Sequence, residues 1–339
     1  MEFTAGGRLE VRISPADVGK RVSVRRLNEG PGAGEKFTDT VGVLTSWDDG
    51  VVLITRRDGE RVHIPESSLV AGKVVPSAPA RRRGPAASYR ELARVAARAW
   101  PPVESEQLGE WELRAAAGFT RRANSVLPLG DPGRPLDEAL AQVRQWYAER
   151  ELPAYIQTAT GTEDTQELLC AELDDRGWER EVSSAIHVGA LAPLGDADVP
   201  GAGAERVLLA RSFDEAWLRR YKRFKEPGPH VRKVLAGGPS VWFASVPGAS
   251  FDAGPAAIGR CVVDGRWAGF MAVEVDPAHR RQGLATAVMA ALSRQALAEG
   301  ASAAWLQVED DNEGARALYG GLGFAAHHTY HHYRYPSAR

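Results

Sequence analysis

The chain has 339 residues, 44% of them hydrophobic and 25% charged, with a formal net charge of −2 at pH 7. At roughly 100 to 200 residues per domain this length allows two or three domains, and the composition excludes fibrous, coiled-coil and wholly disordered chains. The near-neutral charge argues against a surface that grips nucleic acid throughout, because phosphate neutralisation needs a clustered basic excess.

No stretch of 18 apolar residues occurs, and Met1 to Gly7 lacks the basic and apolar regions of a signal peptide, so a cytoplasmic protein with no membrane contact is expected. Residues 11–75 alternate short β-prone runs with turns: Val22–Leu27, Thr40–Trp47, Val51–Arg56 and Arg61–Pro65, with Asp48-Asp49-Gly50 between the second and third. Asp-Gly between alternating β-formers signals a hairpin, since glycine takes the positive φ of the turn. About five such strands predict a small SH3-like barrel over 1–76, with Asn28 to Glu35 as a mobile loop. The region up to residue 88 has 14 basic against 11 acidic residues, too even for a DNA-binding arm. Residues 77–88, with Arg81, Arg82 and Arg83, read as a linker.

Two later segments share a layout. In the first, a helix (Leu136–Arg150) leads to a strand (Ala154–Ala159), a helix (Thr165–Arg176), Gly177-Trp178 and a strand (Val182–Val188). In the second, a helix (Leu284–Glu299) leads to a strand (Ala303–Val308), a helix (Glu313–Leu322), Gly323-Phe324 and a tyrosine-rich strand. Two copies of one α/β half, at 89–192 and 206–339, are therefore expected on either side of a linker at 193–205, which is rich in Gly, Pro and Ala.

The second copy carries the chemistry. A strand ending Val273-Glu274-Val275-Asp276-Pro277 runs through Arg280-Arg281-Gln282-Gly283-Leu284-Ala285 into a helix on which Leu284, Val288 and Leu292 share one face. Small residues at 283 and 285 let backbone approach a ligand, and a helix N-terminus with unpaired N–H groups is an anion cradle to which Arg280 or Arg281 adds full charge. Arg280-x-x-Gly283-x-Ala285 resembles the pyrophosphate loop of the GNAT superfamily of acyl-CoA N-acyltransferases, and 273–277 resembles that family's fourth strand. Asn312-x-x-Ala315-x-x-Leu318-Tyr319-x-x-x-Gly323-Phe324 resembles a second GNAT segment at the right separation. The whole layout is similar to proteins of high-GC bacteria in which a barrel precedes paired GNAT units, some named histone acetyltransferases.

The resemblance implies an α/β GNAT fold and acetyl-CoA as co-substrate. Its diphosphate would lie on Arg280, Arg281, Gln282, Gly283, Leu284 and Ala285, and its pantetheine arm would pair with Val273, Glu274 and Val275, where an amide polarises the thioester carbonyl. It further implies Asn312 as a cofactor contact and Tyr319 as the acid that protonates the departing thiolate, with simple packing as the alternative for the tyrosine. The general base is less constrained: some relatives place a glutamate twelve residues before the tyrosine, where this chain has Gln307, which has no carboxylate to take a proton. Glu274 and Glu309 remain, Glu274 preferred because simple alternation sets it opposite Trp267, Met271, Val273 and Val275; water is the other route.

Period two splits His328 and His332 from His327 and His331, which disfavours a metal site. Cys170 and Cys261 stand far apart with no CxxC, and read as packed thiols. Gly130 to Pro135 occupies the cradle position of the first copy but lacks its order, so that copy reads as degenerate. Residues 226–240 are expected to wall the acceptor pocket. The preferred activity is acetyl transfer from acetyl-CoA to a primary amine, on a protein or a small molecule, by direct attack. The alternative is a non-catalytic acyl-CoA sensor or partner-binding protein that works through its barrel.

Overall fold

The computed structural model describes residues 10–28, 37–76, 84–197, 206–221, 228–248 and 254–336. Most of the loop expected from Asn28 to Glu35, the arginines at 81–83, much of the 193–205 segment and residues 226 and 227 of the expected acceptor wall lie outside them.

The first five strands, β1 (Arg21–Leu27), β2 (Phe37–Asp48), β3 (Val51–Thr55), β4 (Arg61–Pro65) and β5 (Leu69–Val74), form one sheet in the order β4-β3-β2-β1-β5. Alternation places Val22, Val24, Leu44, Val52, Ile54 and Ile64 inside. Asp49 and Gly50 both take positive φ in the β2–β3 turn, as that short hairpin requires.

The next segment comprises α1 (Tyr89–Ala99), β6 (Glu104–Leu108), β7 (Trp111–Ala115), β8 (Leu127–Pro128), α2 (Leu136–Ala148), β9 (Tyr155–Thr160), α3 (Glu167–Asp175) and β10 (Glu179–Ala190). After the short α4 (Ala192–Gly195) come β11 (Leu208–Ala210), α5 (Glu215–Arg220), α6 (Pro229–Ala236), β12 (Ser240–Val246), β13 (Ala257–Asp264) and β14 (Trp267–Val275). The chain closes with α7 (Leu284–Ala298), β15 (Ala303–Glu309), α8 (Glu313–Gly321) and β16 (Ala325–Arg334).

The halves separate in sequence but not in space. One eight-stranded sheet runs β11-β12-β13-β14-β15-β10-β16-β9. Each half's last strand sits beside the other half's preceding strand: β10 pairs with β15, β16 pairs with β9, and β10 and β16 pair with each other. Core side chains lie on both faces. One face packs Trp267, Met271, Trp305, Ile186 and Tyr330 against α1, α5 and α6. The other packs Ala268, Phe270, Leu306 and Val308 against α7, with Tyr319 of α8 at its edge. Leu284, Val288 and Leu292 do lie together in this second core.

The barrel is tied to the shared sheet and to α3. Arg57 Nη2 donates to Ala326 O and His327 O at 3.2 and 3.0 Å, and Arg61 pairs with Asp174 and Asp175 at 3.2 and 3.1 Å.

Candidate active site

Strands β14 and β15 run parallel from Trp267↔Ala303 to Phe270↔Leu306 and then part. Each continues on its outer neighbour, Val275 opposite Ala257 of β13 and Glu309 opposite Ser184 of β10. A bulge causes the parting: Ala272 has φ 52°, and the β13–β14 register shifts between Ile258 and Arg260. An extra residue locally rotates the strand and turns ladder groups away from their neighbours.

The bulge corrects the alternation expected from sequence. Trp267 and Met271 belong to the core under α1, whereas Val273 and Val275 pack on the α7 side, so these four residues do not share a face. Glu274, between the two valines, is half-buried and has an interaction partner.

Beyond β14 the chain turns over Asp276, whose Oδ1 accepts from Ala278 N at 2.8 Å and which also pairs with Arg220. That backbone hydrogen bond, with the Arg220 charge, holds the Asp276 carboxyl below the usual carboxylate range. Arg281 and Gly283 take φ 62° and 76°, and Gly283 is the N-cap of α7. No side chain caps this helix, and the bond from Ala287 N to Gly283 O, 2.9 Å, starts its ladder. The amides before Ala287 thus lack helical acceptors and, with exposed Arg280 and Arg281, suit a diphosphate. The opening beside the bulge likewise offers strand amides to an extended, amide-bearing arm. These residues fit acyl-CoA.

The second motif starts α8. Asn312 Oδ1 accepts from Ala315 N at 3.1 Å, so its side-chain oxygen caps the helix and its amide nitrogen remains for a ligand. Tyr319 meets Phe324 edge-on, 5.9 Å between ring centroids, and burial pushes its phenol up to about 12. Gln307 is half-buried opposite Ile186, and Glu309 is exposed.

The first half has the same opening, closed from within. Val126, just before β8, forms a parallel bridge with Ile156 of β9. Gln166 spans the gap: its Nε2 donates to Pro128 O, and its Oε1 accepts from Ala159 N at 3.0 Å and from the Tyr89 hydroxyl at 2.7 Å. A side-chain amide thus satisfies the groups that an inserted ligand would meet. Sequence reasoning missed Gln166, since nothing in its local pattern marks it.

It also missed Arg260, which is fully buried on β13. Its guanidinium donates to Leu235 O at 2.7 Å, Ala99 O at 2.9 Å and Gly237 O at 2.6 Å, joining the C-terminal ends of α1 and α6. Such carbonyl-rich ends favour a cation.

The histidines of β16 are largely buried. His331 Nδ1 meets Ser183 Oγ at 2.7 Å and its Nε2 meets Thr160 Oγ1 at 2.9 Å. His327 does not alternate with His331 as simple period two would have it: β10 and β16 shift register so that it is the extra residue, bonded to Ala87 O. Among the described residues no group of three or more His, Cys, Asp or Glu is placed to hold a metal, and no helix is long and apolar enough to cross a membrane.

A family model described as "Probable histone acetyltransferase Rv0428c C-terminal" matches residues 86–335, and one described as "Rv0428c N-terminal Sm-like domain" matches residues 16–73. The chain is 28% identical over 333 residues to a Mycobacterium tuberculosis protein named "Probable histone acetyltransferase Rv0428c", covering 96% of this chain and 97% of that one. It is also 28% identical over 276 residues to "Uncharacterized N-acetyltransferase YobR" of Bacillus subtilis, covering 72% and 97%. A solved GCN5-related N-acetyltransferase from Kribbella flavida superposes with a TM-score of 0.53 at 18% identity, covering 73% of this chain and 96% of that one, a likeness of fold.

Proposed function

The chain belongs to the family of the probable histone acetyltransferase Rv0428c, and from that membership we propose that it moves an acetyl group from acetyl-CoA to a primary amine. The parting of β14 and β15 at the Ala272 bulge, beside an uncapped helix N-terminus, is the observation that carries this reading. Acetyl-CoA supplies an activated thioester. The amides of Arg281 to Ala285, with Arg280 and Arg281, hold its diphosphate, and the strand end at Val273, Glu274 and Val275, parted from β15, aligns its arm and polarises the acyl carbonyl.

Tyr319 suits the role of acid because a phenol, here pushed up further by burial, carries its proton at neutral pH and can give it to the departing thiolate. Asn312 contributes its amide nitrogen. Glu274 takes the proton of the attacking amine. Attack is direct, because Cys170 and Cys261 are buried and held as thiols, each pushed up to about 12 by desolvation. Functionally we divide the chain into a barrel (1–76), a linker (77–88), a half that binds no acyl-CoA (89–192), a second linker (193–205) and a catalytic half (206–339).

Release of free CoA from acetyl-CoA in the presence of an amine panel tests the reading. Turnover with at least one amine is expected. Saturable acetyl-CoA binding with no turnover on peptides, polyamines, aminoglycosides or amino acids would replace it with a sensory role.

A further inference from the structure

The side of the open strand pair that faces away from α7 is roofed by α1 and other residues of the first half together with α5 and α6. Trp100, which follows α1 and is 4% exposed, has two guanidinium groups near its ring, Arg260 Cζ at 5.2 Å and Arg122 Cζ at 5.9 Å from the centroid. Arg260 also meets the sulfur of Met271, the residue before the bulge. Arg122 Nε donates to Tyr330 Oη at 3.0 Å. Tyr330 is in register with Ser184, and Ser184 with Glu309 on the parted end of β15. Two strand spacings, roughly 10 Å, therefore separate Tyr330 from that parted edge.

Arg122, Arg260 and Trp100 bring hydrogen-bond donors to this largely buried region. Arg260 is satisfied by carbonyls and carries no carboxylate partner among the described residues. Arg122 uses Nε on Tyr330 and forms no ion pair among the described residues, so its two terminal nitrogens are available. Trp100 Nε1 is buried without an acceptor. Glu181 is already engaged by Arg121 and by the Tyr155 hydroxyl.

Arg122 is also held in place. Asn124, 5% exposed, accepts from Ala116 N and Gly118 N at 2.7 and 2.9 Å and donates to Phe119 O and Thr120 O at 2.6 and 3.0 Å. Ala117 and Thr120 are held at φ 47° and 52°, strain that persists only where the surroundings fix the loop.

We propose that this surface is the distal part of the acceptor pocket, and that it selects an amine whose molecule also carries a carboxylate, which Arg122 holds while the amine reaches the parted strands. The inference rests on the proposed acetyl transfer. A guanidinium fork matches a carboxylate in two parallel bonds, and here two aromatic faces shield it from water. A simple diamine would instead put a second cation beside Arg122 and Arg260. The spacing suits a carboxylate several bonds from the amine better than one on the adjacent carbon.

The test compares 6-aminohexanoate with hexylamine, two acceptors of equal reach that differ in the carboxylate, using the full chain and acetyl-CoA. The acid is expected to have the higher kcat/KM, by about ten- to a hundredfold for one charge-assisted contact. Arg122→Gln should collapse that ratio toward one, mainly through KM of the acid, and Arg122→Lys should restore part of it. Equal use of both amines by the wild type, or an equal loss on both in Arg122→Gln, would overturn the assignment and leave Arg122 a structural role. Should the wild type release no CoA with any amine, the transferase reading fails, and binding alone decides this one. Ligand-observed NMR should then show 6-aminohexanoate binding the wild type and lost in Arg122→Gln; binding that is absent, or indifferent to the substitution, overturns it.

Discussion

Tyr319 and Gly283 separate chemistry from binding. Tyr319→Phe removes one hydroxyl from a residue held by packing, so acetyl-CoA should bind as before while kcat falls by about 10²- to 10⁴-fold if proton delivery to the thiolate limits turnover. Stopped-flow or steady-state CoA release beside calorimetry measures both, and an unchanged kcat where chemistry limits the rate removes the acid role. Gly283→Val should act in the opposite sense. A β-branched residue at φ 76° is strained, and its side chain would crowd the amides at the start of α7, so acetyl-CoA binding should be lost with the fold retained. Affinity within a few-fold of the wild type would place the diphosphate elsewhere.

Two strands show how an element can differ from its own periodicity. On β14 the residues and boundaries were legible, but the single extra residue at Ala272 reverses which side Val273 and Val275 face. On β16 the buried histidines make an acid-labile seam. Burial lowers His331 to about 3 and lowers His328 and His332 well below 6.5. These groups stay neutral in the folded chain while the unfolded chain takes protons below 6.5, so their contribution is complete above that pH and is lost as the pH falls toward the folded value. Each costs on the order of 1.4 kcal/mol per pH unit across that window. The thermal midpoint should therefore drop steadily from about pH 6.5 to about pH 5, and less steeply in His331→Gln; a flat profile would show that these rings accept protons without cost.

At the scale of the whole molecule the halves depend on each other. β15 presents its splayed end only because β10, from the first half, holds its far edge, and β16 returns the exchange beside β9. Residues 206–339 expressed alone should lack a cooperative thermal transition, and residues 84–200 supplied as a second chain should restore one. A lone fragment that unfolds cooperatively and binds acetyl-CoA, closing by pairing β16 directly on β15, would refute this dependence. The Gln166 bridge gives a second prediction: the full chain should bind one acetyl-CoA by calorimetry, and two sites of similar affinity would mean that the first half opens after all.

The barrel, the repeated α/β order, the glycine-bearing turn from Arg280 to Ala285 that leads into a helix, and the helix that carries Tyr319 were all legible in the sequence. These are local quantities: turn residues, apolar periods and motif spacings are complete within a few tens of residues. The exchange of last strands between the halves, the Gln166 bridge across the opening of the first half, and the approach of Arg122 and Arg260 to Trp100 came only from the folded chain. Each of those facts joins positions far apart in the chain, and hydrophobic alternation is the same whichever strand lies alongside, so no local pattern could carry them.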